Sequence, residues 1–276
     1  MAMIVLQRSE IVFLERFSDN VQIALYSIPF SAVETLGLVP AALGIAAASA
    51  FAMLYGAGAH ERIQQGFGRA VRLTLSVTLP ITAASLVLGP SALGLAYGEE
   101  YTGTAPVFVV LVSVFPVISL MFIGTALVQG LGKQRAPLLI LGVAAVVALT
   151  LDVTLIPPLE AIGAAIANAS SQAVAAILLV GYAARLVGGI EWEVAALARA
   201  VVLSVVAGAS ALAPVLLLET LPGFLVGGLA YLLALLVLAP ALRVVPARDG
   251  RWLESSVSAR FGPGAARVVR ACAMGD

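Results

Sequence analysis

Charged side chains are scarce in this sequence. Of its 276 residues, 15 are Lys or Arg and 15 are Asp or Glu, which is 11% charged in all, whereas soluble proteins carry roughly 25%. Because this number of charges is too small to cover a water-facing surface, we expect the protein to lie in lipid. The formal net charge of zero also excludes the basic field that nucleic-acid-binding proteins present.

Cysteine and histidine are almost absent. Cys272 is the one cysteine, which excludes an internal disulfide and a four-cysteine metal site. His60 is the one histidine, so neither a histidine-ligated metal centre nor a catalytic Ser/His/Asp or Cys/His set can be assembled. We therefore expect no enzymatic activity, no metal and no cofactor.

Long apolar runs, in contrast, are abundant. A membrane-spanning helix needs about 20 mostly apolar residues, and seven stretches meet this requirement: residues 21–55, 73–95, 104–131, 137–156, 161–186, 194–218 and 221–245. The first run is too long for one straight crossing, and Pro29 and Pro40 predict that it is kinked or tilted. The sequence predicts an all-α integral membrane protein with seven transmembrane helices.

The predicted domain organisation has three parts. Residues 1–20 are apolar but charge-bearing, and they are typical of the end of a truncated helix followed by an outer loop. Residues 21–245 form the seven-helix bundle. Residues 246–276 are polar and arginine-rich, and we predict a partly disordered cytoplasmic tail.

Basic and non-basic connections alternate along the chain. Lys or Arg residues follow the first, third, fifth and seventh runs, as in Lys133 and Arg135, whereas Glu99 and Glu100, Glu160, and Glu219 stand without them after the second, fourth and sixth. Short loops rich in Lys and Arg stay in the cytoplasm. The pattern places the first group of loops and the C-terminus in the cytoplasm and the second group outside.

The fourth connection has its own signature. Pro157 cannot continue a helix without losing a hydrogen bond, so residues 157–159 are predicted to form an abrupt outer turn, with Glu160 in the first turn of the next helix. Gly163, Ala167 and Ser171 then repeat every four residues, as do Gly223 and Gly227 in the last run. Small residues at this spacing let two helices approach closely in lipid.

Four stretches together resemble a known family. They are SDNVQIALYSIPFSAVETL (18–36), YGEEYTGTAPVFVVL (97–111), ALVQGLGKQRAPLLI (126–140) and LDVTLIPPLEAIGAAIANASSQ (151–172). In this order and spacing they are similar to the polysaccharide flippases of the multidrug/oligosaccharidyl-lipid/polysaccharide exporter superfamily. The sequence departs from that pattern at Asp152, where the family usually has asparagine, and at residues 159–162, which replace an aromatic–glycine turn.

The resemblance implies a fold and a function. The family fold has two helix bundles around a central cavity, and this chain matches the C-terminal bundle, so a missing N-terminal bundle is an implied partner together with the lipid bilayer. The implied activity is alternating access in the bacterial inner membrane. The implied cargo is a polyprenyl-diphosphate-linked glycan.

Three acids are candidates for an ion pathway, because a charge at the bilayer centre costs at least about 2.5 kcal/mol. Glu34 lies 13 residues after Val21, about 20 Å along a helix. It is either a proton or cation site facing the cavity, or an acid that lies near an interface or pairs within the bundle. Asp152 either lines an outer vestibule or lies at the interface. Glu10 aligns with an acidic position on the family's cavity-facing helix.

Polar and basic residues complete the candidate site. Asn168, Gln172 and Gln129 can hydrogen-bond either a sugar or a neighbouring helix. Arg62, Arg69 and Arg72 can contact a diphosphate headgroup on the inner leaflet, although orientation of the chain already explains them.

Three other functions stay open at this stage. A multidrug cation antiporter of the same superfamily would have an aromatic-lined acidic pocket, which these aliphatic runs disfavour. A membrane-embedded glycan polymerase or glycosyltransferase would need a large loop or domain with clustered acids, and the connections between runs are short. The third is an inactive fragment that packs against a partner.

Overall fold

The computed structural model describes residues 9–98, 103–190 and 193–242, and within these residues it contains helices and no strand. The helices are α1 Ser9–Phe17, α2 Asn20–Leu36, α3 Leu38–Gly56, α4 His60–Tyr97, α5 Thr104–Ser113, α6 Phe115–Gly130, α7 Arg135–Leu186, α8 Val194–Leu217 and α9 Thr220–Leu242. The predicted all-α class is confirmed. The predicted tail, residues 246–276, lies outside the described residues.

The helices are long and apolar enough to cross a membrane at the predicted places. Five stretches qualify singly, and α2 and α3 count as one of them, Asn20–Gly56. Helices α5 and α6 qualify as a sixth crossing, bent by 44° next to Pro116, which lies at the start of α6. The prediction of one long first span is confirmed, because Asn20–Gly56 counts as a single 37-residue stretch, and the kink or tilt expected from Pro29 and Pro40 stays a prediction.

Helix α7 reverses direction at Glu160. The backbone there has φ 51° and ψ −126°, which is not helical. A Cβ atom added to Gly163 would overlap the backbone carbonyl of Leu155, although these residues would lie about 12 Å apart along a straight helix. Residues 135–159 and 161–186 are therefore two antiparallel arms. When each arm is counted by itself, the described residues contain seven candidate spans.

The predicted position of the turn needs a correction. Helical backbone continues through Pro157, Pro158 and Leu159, and the reversal occurs at Glu160 itself. Proline has a φ that is compatible with helix, and its cost is the missing N–H. Because Pro157 and Pro158 lie in the last exposed turn of the first arm, that cost is small, and the helix runs on past them.

The chain forms two compact units. Of the described residues, the first unit comprises 9–70, 92–98 and 103–190, and the second comprises 71–91 and 193–242. In the first unit, α3 and α6 pack at close range: a Cβ on Gly44 would lie 3.1 Å from the Cβ of Phe122, and a Cβ on Gly130 would lie 2.8 Å from that of Phe51. Glycine at both positions lets the two helix backbones approach.

The second unit packs the middle of α4 with α8 and α9. The hydroxyl of Tyr231 on α9 donates a 2.6 Å hydrogen bond to the carbonyl of Pro80 on α4. A Cβ on Gly227 would lie 3.0 Å from the carbonyl of Ala211, and one on Gly223 would lie 3.1 Å from that of Pro214. The predicted role of Gly223 and Gly227 as close helix contacts is confirmed.

Buried hydroxyls of the second unit bond within their own helices. Thr78 donates to the carbonyl of Thr74, Thr82 donates to that of Thr78, and Ser204 donates to that of Ala200, at 2.7 to 2.8 Å. Each donor reaches back four residues along its own helix. These polar side chains are therefore satisfied without a partner on the neighbouring helix.

Candidate functional site

The first turn of α1 is a buried polar segment. Ser9 is 5% exposed and Glu10 is 3% exposed, and α1 packs against α7 and α2. An acid in the first turn of a helix is favoured by the helix dipole, but one shielded from water needs polar neighbours. Both arms of α7 supply them.

The first arm of α7 supplies Asp152, which is fully buried. The hydroxyl of Ser9 donates a 2.8 Å hydrogen bond to Oδ2 of Asp152. The other oxygen, Oδ1, is buried and accepts no hydrogen bond from the described residues. An acceptor in this state carries a desolvation cost of about 1–3 kcal/mol, so the structure keeps Asp152 at some expense of stability.

The second arm supplies an amide pair. Nδ2 of Asn168 donates a 2.8 Å hydrogen bond to Oε1 of Glu10, and Nε2 of Gln172 donates a 2.6 Å hydrogen bond to Oδ1 of Asn168. Asn168 is 5% exposed, whereas Gln172 is half-buried. The three side chains form a line from a buried carboxyl group to a partly accessible amide.

The hairpin geometry of α7 explains why these residues meet. Asp152 and Asn168 each lie eight residues from Glu160, so on antiparallel arms they stand at the same level, about 12 Å from the reversal. Ser9 and Glu10 are consecutive on α1, and they bond one arm each. The start of α1 therefore joins the two arms at this level, and we call these five residues (Ser9, Glu10, Asp152, Asn168 and Gln172) the polar cluster.

An apolar layer separates the polar cluster from the reversal of α7. Ile156 and Ala164 each lie four residues from Glu160, and Leu14 lies four residues beyond Glu10 on α1. These three side chains are fully buried and pack in one group with Tyr26 of α2. The layer is completed by Val107, Leu111, Ala161 and Ala165.

The arrangement is suited to binding a proton. Two carboxyl groups are buried, those of Glu10 and Asp152, and Oδ1 of Asp152 accepts no hydrogen bond from the described residues. Burial in an apolar interior disfavours the charged form of a carboxyl group. Within the described ranges, no group of three or more His, Cys, Asp or Glu side chains is placed to hold a metal ion.

The other predicted site residues lie elsewhere. Glu34 is exposed near the end of α2, and Gln129 is exposed near the end of α6. Arg62 is exposed and Arg69 is half-buried in the first unit. Arg72 belongs to the second unit, where its Nη2 lies 3.8 Å from Oε1 of Glu193. The structure brings together Glu10, Asp152, Asn168 and Gln172.

Sequence reasoning missed Ser9 and Tyr26. Residues 1–17 read as a charged stub too short to cross a membrane, so a serine within them carried no signal. Tyr26 lies in the stretch 18–36, which contributed to the family resemblance, but no role was predicted for Tyr26 itself. The signal that finds them is three-dimensional, because both contact residues more than 80 positions away.

Comparison with known proteins gives a family match and a structural match. The MatE family model matches residues 2–154, which is more than half of the chain and includes α1 and Asp152. A solved structure of lipid II flippase MurJ in an inward closed conformation superposes with a TM-score of 0.69 at 13% sequence identity. No curated protein matches.

The structural match covers 86% of this chain and 51% of the flippase chain, so the chain spans about half the length of that protein. At this identity the likeness shows the fold, an all-helical membrane bundle. The match to the MatE family model independently shows the family. The protein is a multi-pass membrane protein, and its chain belongs to the MatE family of membrane transporters.

Proposed function

We propose that the protein is one helix bundle of a flippase that moves a lipid-linked oligosaccharide or polysaccharide precursor across the bacterial inner membrane by alternating access. The polar cluster is the observation that carries this proposal. Polar and ionisable groups inside a membrane bundle are costly and are typical of transport pathways. A bundle that serves only as packing gains nothing from two buried carboxyl groups.

The likeness to a lipid II flippase favours a lipid-linked cargo over a soluble drug. In the proposed cycle the sugar part passes the polar side chains while the lipid tail stays in the bilayer. Glu10 and Asp152 respond to an ion gradient that drives the cycle, and Glu34 stays a predicted site for the same ion. Gln172 and Gln129 are accessible enough to contact sugar hydroxyls.

The basic side chains of α4 have separate proposed roles. Arg62 and Arg69 contact the diphosphate headgroup on the cytoplasmic side. Arg72 already faces Glu193, so we assign it to holding α4 against the start of α8. The proposed partner is a second helix bundle, since the matched flippase chain is about twice as long as the part that this chain covers.

Reconstitution in vesicles tests the proposal. The full chain is incorporated with and without an N-terminal helix bundle taken from a MatE-family flippase. A fluorescent polyprenyl-diphosphate-linked oligosaccharide is included, and an impermeant reductant measures how much of its label is reachable. We expect the inner-leaflet label to become reachable when both bundles are present. The Glu10→Gln and Asp152→Asn variants should slow this at least tenfold.

An assay of ethidium efflux from the same vesicles distinguishes the proposed flippase from a multidrug antiporter, which is the main alternative. Cation-dependent efflux without movement of the lipid-linked label would show a multidrug antiporter and contradict the proposal. Movement of neither substance with both bundles present would contradict it as well.

A further inference from the structure

The amide line of the polar cluster has a defined direction. An Asn or Gln side chain can present either its oxygen or its NH₂ group to a neighbour, whereas an ionised carboxylate is an acceptor only. Asn168 gives its NH₂ group to Glu10 and its oxygen to Gln172, and Gln172 gives its NH₂ group to Asn168. All the N–H groups in the line thus point towards the buried acid.

Both amides are held at fixed spacing. Gln172 follows Asn168 by four residues on the same helical arm, so the two side chains lie on one face. The hydroxyl of Ser171 donates to the backbone carbonyl of Asn168 at 3.0 Å and leaves the side-chain amide of Asn168 to Glu10 and Gln172. Asn168 is too buried for water to replace either partner.

We propose that Gln172 is a positioning residue, which fixes the direction of the Asn168 amide and so holds an N–H on the Glu10 carboxylate. The inference rests on the proposed function and deepens it, because it names the hydrogen bonds that connect the buried Glu10 carboxyl group to the partly exposed Gln172. Gln172 donates to Asn168 and is half-buried. Cargo or solvent can therefore reach Gln172 while Glu10 stays shielded.

Protonation of Glu10 removes the constraint. A proton from water forms an O–H bond on the carboxylate, and the resulting acid can donate to Oδ1 of Asn168 as well as accept. Asn168 can then turn its NH₂ group towards Gln172, and Gln172 can turn both of its N–H groups away from the line. Ionised Glu10 locks the amide direction, and protonated Glu10 releases it.

Among the described residues, few titratable side chains lie close to α1. Asp152 faces α1 from the first arm of α7 and accepts from Ser9, and Tyr26 of α2 packs with Leu14 of α1. On α1 itself, Glu15 and Arg16 are exposed. None of these side chains replaces Gln172 as the donor to Asn168 in the described structure.

Infrared titration of the full chain in lipid nanodiscs tests the role of Gln172. The carbonyl stretching band of protonated carboxylic acids is recorded against pH, and subtraction of the Glu10→Gln spectrum isolates Glu10 from Asp152 and every other acid. In Gln172→Glu, residue 172 becomes an acceptor and draws the Asn168 NH₂ group away from Glu10. We expect the pH midpoint of the Glu10 band to rise by about one unit.

Two further variants complete the experiment. Gln172→Met keeps the volume and adds no charge, so it provides the same test if Gln172→Glu does not fold, and we expect a smaller rise. Gln65→Glu introduces the same charge at an exposed position of α4 and should leave the midpoint unchanged. An unchanged midpoint in Gln172→Met would overturn the inference, because the added charge of Gln172→Glu raises the midpoint even if the Asn168 amide does not turn. The titration needs no cargo, so its result does not depend on the result of the vesicle assay, and the failure of one proposal can be distinguished from the failure of the other.

Discussion

At the scale of single residues, Glu160 holds the least favourable backbone conformation in the described chain. Its φ of 51° is the one positive value among the described non-glycine residues, and with ψ −126° it resembles the first central position of a type II′ turn, which favours glycine. A side chain in such a region costs about 1–3 kcal/mol. The two arms of α7 flank Glu160 in the chain and pack against each other, and this packing holds Glu160 in its conformation.

Glycine at this position should stabilise the protein. We expect Glu160→Gly to raise the free energy of unfolding by about 1 kcal/mol. Glycine relieves the backbone strain of the folded state, and the larger conformational entropy that it gives the unfolded chain offsets part of this gain. Unfolding in mixed micelles, followed by the loss of helical ellipticity, measures the change. Glu160→Ala removes the same charge but keeps the Cβ, and an equal gain in that variant would contradict a backbone origin.

Four of the five residues of the polar cluster were predictable singly and not as a group, and Ser9 was missed. Glu10, Asp152, Asn168 and Gln172 stood out because polar groups in apolar runs are costly, but hydropathy ranked Glu34 above them as the deepest acid. Depth along a run does not reveal which face of the helix is buried. Glu34 is exposed, whereas Glu10 is buried in a segment that seemed too short to matter.

At the scale of helices, the close contact between the arms of α7 depends on Gly163. Its neighbours at the contact are backbone atoms of Leu155 and Ile156, which cannot rotate out of the way as a side chain can. The small residues that follow, Ala167 and Ser171, are buried on the same arm. The hairpin therefore stays closed only if position 163 lacks a Cβ.

Two alanine substitutions on one arm should have opposite effects. We expect Gly163→Ala to lower the free energy of unfolding by about 2 kcal/mol through overpacking. Gly181→Ala, where nothing lies within 4 Å of an added Cβ, should raise it by up to about 1 kcal/mol through helix propensity. The same micelle assay measures both, and a neutral Gly163→Ala would show that the arms separate.

The helices themselves followed from hydropathy, because every spanning segment must bond its own backbone in lipid. The bend between α5 and α6 and the reversal at Glu160 were harder to place. Proline in a sequence marks a weak point of a helix, but whether the chain turns there depends on the packing around it. At Pro157 and Pro158 the helix continues, and the turn falls where the arms meet.

At the scale of the whole chain, the predicted sidedness is open to direct measurement. Lys133 and Glu160 lie 27 residues apart, about 40 Å along a helix, which exceeds the roughly 30 Å hydrocarbon core. In a Cys272→Ser background, an impermeant maleimide should label Glu160→Cys on intact cells and label Lys133→Cys only after permeabilisation. Labelling of both on intact cells would mean that residues 135–159 do not cross.

The self-bonded threonines of α4 have a mechanical consequence. Thr78 and Thr82 give their hydroxyl hydrogens to their own helix, and Ser204 on α8 does the same. A rotation or slide of one helix past the other therefore ruptures none of these bonds. These three hydroxyls therefore add no hydrogen-bond barrier of their own to a sliding motion of either helix.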